Sequence, residues 1–111
     1  GGLNQALLNI IVNAAHAIAE VSDRTSGEIK ISTEVIDDRV IIRIKDNGAG
    51  IPLQVRDKIF VPFFTTKDIG KGTGQGLAIS YDIIVLKHGG KLSFDSEAGQ
   101  GTTFIIELPK E

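Results

Sequence analysis

The chain has 111 residues, enough for one domain, and its 41% hydrophobic and 23% charged content is that of an ordinary globular protein, not a disordered one. Twelve Lys and Arg against fourteen Asp and Glu leave a net charge of −2 with no basic run, so neither nucleic acid nor an anionic membrane surface is indicated as a partner. Cysteine is absent, which excludes disulfides, thiolate metal sites and cysteine nucleophiles.

Residues 3 to 21 carry apolar side chains at 3, 7, 10, 11, 14, 17, 18 and 21, the spacing of an amphipathic helix. Gln5, Asn9, Asn13, His16 and Glu20 fall on one polar stripe of that helix. After the breaker SDRTSG, the stretch EIKISTEV alternates apolar and polar. Asp37-Asp38 turns the chain into RVIIRIKD, which predicts an antiparallel hairpin. PLQVRDKIF opens on proline and suits a short helix. VPFFTTKDIGKGTGQG reads as irregular. LAISYDIIVLKH then predicts a second long helix, with Leu77, Tyr81, Ile84, Val85 and His88 on one side and Gly89-Gly90 as its stop. KLSFDSE, the loop AGQG and TTFIIELP form a second hairpin. The expected fold is α+β: a two-layer sandwich whose mixed, mostly antiparallel sheet is covered on one face by helices.

Strand parity singles out two polar residues. Val40, Ile42 and Ile44 share a face, and Asp46 falls in phase with them; Phe104, Ile106 and Leu108 share a face, and Thr102 precedes them in phase. Both therefore point into the apolar layer, where an unpartnered carboxylate is costly. Gly48 and Gly50 follow in DNGAG and let a flat group approach the backbone, so a ligand with an exocyclic amino group suits the place. A turn in which Asp46 caps its own backbone fits the same residues.

GKGTGQGLAI, residues 70 to 79, runs glycines at 70, 72, 74 and 76 straight into a helix. Free amides at the positive end of a helix dipole suit phosphate, while an unliganded flexible loop would carry the same glycines. The stretch is neither a Walker A loop nor a dinucleotide fingerprint, since no strand leads into it. Lys67 and Lys71 lie beside it, where they can screen phosphate charge or be solvated. Asn9 and Asn13 stand one helical turn apart; amide oxygens complete the shell of a phosphate-bound Mg²⁺, and an exposed helix face looks the same.

Taken together and in order, NIIVNAAHA, DNGAGIP, IFVPFFTTK, GKGTGQGLAI and GQGTTFIIELP resemble the ATP-binding catalytic domain of two-component sensor histidine kinases, within the GHKL superfamily that also holds gyrase, the heat-shock ATPase chaperones and MutL. The resemblance covers about Leu3 to Pro109. It implies that Asp46 accepts the adenine amino group with Thr102 nearby through water, and that Asn13 holds Mg²⁺ with Asn9 adjacent. Gly48, Gly50 and Ile51 would border the base. Gly72, Thr73, Gly74 and Gly76, with the amides of Gln75 and Leu77, would cradle the phosphates of ATP, Lys67 and Lys71 would assist, and Phe60, Phe63 and Phe64 would hinge a lid. Residue 16, often lysine or arginine in the family, is His16, which either contacts phosphate or is an exposed polar residue. Gln75 stands where leucine is common, and His88 reads as a helix-terminus residue.

The same resemblance implies what lies elsewhere. The family's phosphoacceptor histidine sits on a separate dimerisation domain and is followed by an acidic residue; His16 precedes alanine and His88 precedes glycine, so neither fits. The chain begins at the nucleotide-binding helix and reads as one excised catalytic domain, a monomer by itself. The parent would be a homodimeric, cytoplasmic or membrane-anchored kinase with a response regulator downstream, and the domain itself would touch neither nucleic acid nor membrane. Asn9 occupies the position at which the ATPase and serine-kinase branches carry a glutamate base, and an amide takes no proton at neutral pH. An ATPase or serine kinase, and a non-catalytic nucleotide sensor, are the alternatives to a histidine kinase.

Overall fold

The first periodic stretch folds as α1 (Leu3–Ala19), and its apolar stripe buries Ala6, Ile10 and Ala14. A computed structural model of the chain describes residues 2–21, 27–60, 76–97 and 99–109. The alternating stretches pair as β1 (Ile29–Ile36) and β2 (Arg39–Asp46), joined at Asp37 with φ 53° in the left-handed region that aspartate tolerates. Pro52 opens a 3-10 helix, Leu53–Lys58. Then come α2 (Gly76–Tyr81), which continues as a π-helical turn over Asp82–Lys87, and the hairpin β3 (Lys91–Glu97) with β4 (Gly101–Pro109).

All the described strand pairs are antiparallel, in the order β1-β2-β4-β3. The second hairpin is thus turned so that its last strand lies beside β2, with Ile44 opposite Phe104 and Asp46 opposite Thr102. Phe104, Ile106 and Ile44 from the sheet meet Ile10 and Ile84 from the helices, all fully buried. Burying a side chain of that size contributes roughly 1.5–3 kcal/mol. An aromatic chain extends this core, with Phe94 centred 5.9 Å from Phe104 and 6.2 Å from Phe60, and Phe60 5.3 Å from Tyr81.

Two features depart from the sequence expectation. The second helix buries Ala78, Ser80 and Ile83 in addition to Ile84, while Leu77, Tyr81 and Val85 of the expected stripe pack half-buried against the core, because α2 is packed against α1 as well as the core. Among the described residues the helices cover β1 only at Ile29: Ile31 and Val35 lie on the helix-facing side of the sheet yet are more than half exposed.

Ser80 joins the two helices, its buried hydroxyl donating to the Ala6 carbonyl at 2.9 Å. Ser80→Ala should cost about 1–2 kcal/mol and lower the urea midpoint at unchanged slope. An unaltered midpoint would mean that this bond contributes no net stability.

Candidate functional site

The parity that buries Ile44 carries the next inward position, Asp46, to the end of β2 with only 2% of its surface exposed. Its carboxylate accepts the backbone N–H of Gly48 at 2.9 Å. The backbone of Thr102 bonds to it as well. Burial pushes the Asp46 carboxyl above its ordinary value, and these two backbone donors offset part of that rise. The self-capping turn is therefore present, but it does not expose the carboxylate. Two donors also leave acceptor capacity on a group with two oxygens.

Asp46 does not stand alone. It lies opposite Thr102, which lies opposite Ser96, so residues from β2, β4 and β3 form one polar row across the end of the sheet. The adjoining row inward is apolar, with Ile44, Phe104 and Phe94. Ser96 Oγ is 2.8 Å from Thr102 Oγ1, accepts the Ile51 N–H at 2.7 Å and lies 3.1 Å from the Gly101 carbonyl, to which it donates. Arg56 clamps the same segment, donating from Nε to the Ile51 carbonyl at 3.1 Å and from Nη2 to the Ser96 carbonyl at 2.7 Å. An open depression of about 560 Å³ lies at this end of the sheet, lined by Asp46, Ser96 and Thr102 together with the outward-facing Lys45, Asp95 and Thr103.

The glycines have distinct duties. A Cβ at Gly48 would meet the Ala17 carbonyl carbon at 2.6 Å and the Ile18 nitrogen at 2.7 Å, so its glycine admits the backbone of α1. Ala49 completes that contact by donating to the Ala17 carbonyl at 3.1 Å, and Gly99 donates to the Ala49 carbonyl at 2.8 Å. The DNGAG loop is thereby held between α1 and the β3–β4 turn. Gly50 has φ 79°.

Asn9, Asn13 and His16 are half-buried along α1. Gly76 opens α2, and Leu77 packs against the core. Phe60 also joins the core through Tyr81 and Phe94. Lys67, Lys71, Gly72, Thr73, Gly74 and Gln75, with Phe63 and Phe64, lie outside the described residues. His88 ends the second helix, its ring Nδ1 bonded to the Ile83 carbonyl at 2.8 Å. Ser96 and Arg56 were not singled out in the sequence. Ser96 was within reach of the parity argument, being in phase with Leu92 and Phe94, whereas nothing in the spacing marks Arg56.

Residues 1–111 match the family model described as histidine kinase-, DNA gyrase B-, and HSP90-like ATPase. The chain is 42% identical to sensor kinase CckA of Brucella abortus over 99% of its own length, and 46% identical to the signal transduction histidine-protein kinase AtoS of Escherichia coli over 96%. It spans only 13% and 16% of those two relatives. Among solved structures, the catalytic domain of histidine kinase ThkA superposes with a TM-score of 0.78 at 40% identity, covering 96% of this chain and 64% of that one. The mycobacterial sensor histidine kinase MprB superposes with a TM-score of 0.80 at 35% identity, covering 97% and 72%. The α+β fold, the glycine-rich motifs and these matches agree: the chain belongs to the histidine kinase-, DNA gyrase B- and HSP90-like ATPase family, as a catalytic ATPase-type domain of the sensor histidine kinase branch.

Proposed function

We propose that this domain binds Mg²⁺-ATP and presents the γ-phosphate to a histidine carried on a separate dimerisation domain of a two-component kinase. The observation that carries the reading is the buried Asp46 carboxylate in a row with Thr102 at the end of the sheet. A carboxylate kept ionised there is unfavourable without a further donor, and an adenine amino group supplies one. Asn13, on the polar stripe of α1, would hold Mg²⁺ through its amide oxygen with Asn9 adjacent. ATP supplies the transferable phosphoryl group; the protein binds, orients and neutralises charge, and the acceptor domain brings the nucleophilic imidazole.

Asn9 in place of a carboxylate favours transfer over hydrolysis, since no base stands on that turn of α1 to activate water. The test is calorimetric titration with ATP and with GTP, each with and without Mg²⁺, followed by transfer to a supplied acceptor domain. Saturable, adenine-selective binding followed by phosphorylation of a histidine is expected. Appreciable steady-state hydrolysis without acceptor would favour the ATPase or serine-kinase reading, and binding without transfer the non-catalytic sensor.

Asn13→Asp should shift the Mg²⁺ dependence of ATP binding at least severalfold, because it replaces a neutral ligand by a charged one. Unchanged Mg²⁺ dependence would place the metal elsewhere. ThkA has been solved in complex with the response regulator protein TrrA; a response regulator is accordingly the downstream partner proposed for the parent of this domain. No helix among the described residues is long and apolar enough to cross a membrane. The proposed site of action is the cytoplasm, where the nucleotide proposed for the site is available.

A further inference from the structure

β1 is an edge of the sheet, and among the described residues no strand pairs with its outer side. Every second residue of a strand turns its N–H and C=O to the same side, so this edge presents unpaired donors and acceptors along an 8-residue strand. It lacks the devices that usually blunt an edge. Ile29 to Ile36 contains neither proline nor glycine, its register with β2 runs without a bulge, and the charge of Lys30 is balanced by Glu34. Its apolar side chains are open as well: Ile31 and Val35 on the helix-facing side and Ile36 on the other are exposed. The opposite edge differs, since on β3 Leu92 is buried and Phe94 packs against the core.

We propose that β1 is a self-association edge, which pairs antiparallel with β1 of a second copy of this chain across a two-fold axis at Ser32. In such a pair each residue faces the one equally far from the axis on the other copy. With the axis at Ser32, Lys30 faces Glu34 of the second copy and Glu34 faces its Lys30, which closes two opposite-charge pairs on the outer face of the sheet. On the helix-facing side Ile29 meets Val35 and Ile31 meets Thr33, all β-branched, so the apolar layer continues across the junction. Neighbouring registers lose this match. An axis at Thr33 sets Lys30 against Ile36 and Glu34 against Ser32, and an axis at Ile31 sets Glu34 against Glu28. Within one copy Lys30 reaches Glu28 and Glu34 reaches Arg43, both at 3.6 Å and both solvent-exposed, so neither contact holds these side chains back from a partner. The paired stretch is short against the roughly 20–30 residues a side of a standard interface, so the dimer is weak, with a dissociation constant on the order of 100 µM. The row of Asp46, Thr102 and Ser96 lies on the other strands and takes no part in the pairing. The monomer expected from the sequence was drawn from the family's separate dimerisation domain and took no account of this edge.

Equilibrium sedimentation of the intact chain from about 10 µM to about 1 mM provides the test. The average mass should climb from monomer towards dimer and go no further. Lys30→Glu and Glu34→Lys each oppose like charges across the pair and should weaken the dimer about tenfold. The double variant Lys30→Glu/Glu34→Lys exchanges the charges and should recover most of that loss. Ser32→Cys reads the register separately. The chain has no cysteine of its own, so mild oxidation at high concentration should link two copies through residue 32, while Ser93→Cys, exposed on β3, should stay unlinked. Circular dichroism of each variant checks the fold, and if a charge variant fails to fold, the Ser32→Cys link decides alone. A chain that remains monomeric at about 1 mM overturns the proposal. So does a dimer that ignores both single charge reversals or is not recovered by the exchange, since it then forms through another surface. Growth beyond the dimer, or equal linking through Ser32→Cys and Ser93→Cys, overturns it as well.

Discussion

Asp46→Asn is expected to abolish the preference for ATP over GTP and to weaken ATP binding about tenfold to hundredfold, the range for losing a hydrogen bond to a charged acceptor. The amide keeps one oxygen for the Gly48 N–H, now held at 2.9 Å, but it turns an acceptor-only group into one that also donates. Folding should not suffer. Burial raises the Asp46 carboxyl above the 3.8 it has when exposed, so between those two values the native state binds more protons than the unfolded state. The sign follows directly: stability contributed by this group falls as pH rises through that window, and the penalty is complete at neutral pH. The asparagine variant carries no such penalty. Its unfolding free energy at pH 7 should hold or rise relative to the parent, and the difference should shrink on acidification towards 3.8. ATP and GTP affinities both unchanged from those of the parent would remove the adenine assignment, and a variant that loses stability at neutral pH would contradict the account of the buried charge.

Gly101→Ala is expected to be the most damaging single methyl in the site, costing about 3 kcal/mol or more. Its φ of 132° lies where side chains rarely go, and the added Cβ would press directly on the Asp46 carbonyl oxygen. That oxygen belongs to the backbone of a central strand and cannot swing aside as a flexible side chain could. The displaced residue is moreover the one proposed to read the base, so nucleotide binding should weaken beyond what lost stability explains. Gly99→Ala supplies the comparison. It shares a positive φ, 80°, but its Cβ would meet nothing within 4 Å, so only the backbone strain of about 1 kcal/mol remains. Chemical denaturation of both variants separates the cases, and equal losses would show that the close approach at Gly101 carries no weight.

Much of the architecture was legible because it depends on phase within one segment. The period of α1 placed Ile10 and Ala14 inward without reference to any neighbour, and the alternation of RVIIRIKD and TTFIIELP placed Asp46 and Thr102 among buried residues. The hairpin turns at Asp37-Asp38 and AGQG follow from the same local chemistry. Phase does not name the neighbour, however. The second helix was expected to bury one stripe, but it lies between α1 and the core, so Ser80 is fully buried beside Ile84. The close approach of Gly48 to the Ala17–Ile18 backbone of α1 was likewise beyond any spacing along the chain.

The sequence by itself determined the α+β class, the helix and strand phases and the inward carboxylate, because a period of 3.6 or 2 is a property of the segment that carries it. Only the tertiary structure decided that β4 inserts between β2 and β3, which sets Asp46, Thr102 and Ser96 in one row from segments 50 residues apart. It alone also showed that Arg56 and Ile51 brace that row, and that Gly101 and Gly48 are glycines because another backbone passes too close for a methyl group. The physical reason is range. Periodicity is fixed by bonds along the chain, whereas strand order, hydroxyl polarity and steric room are fixed by atoms that meet only after the chain has folded.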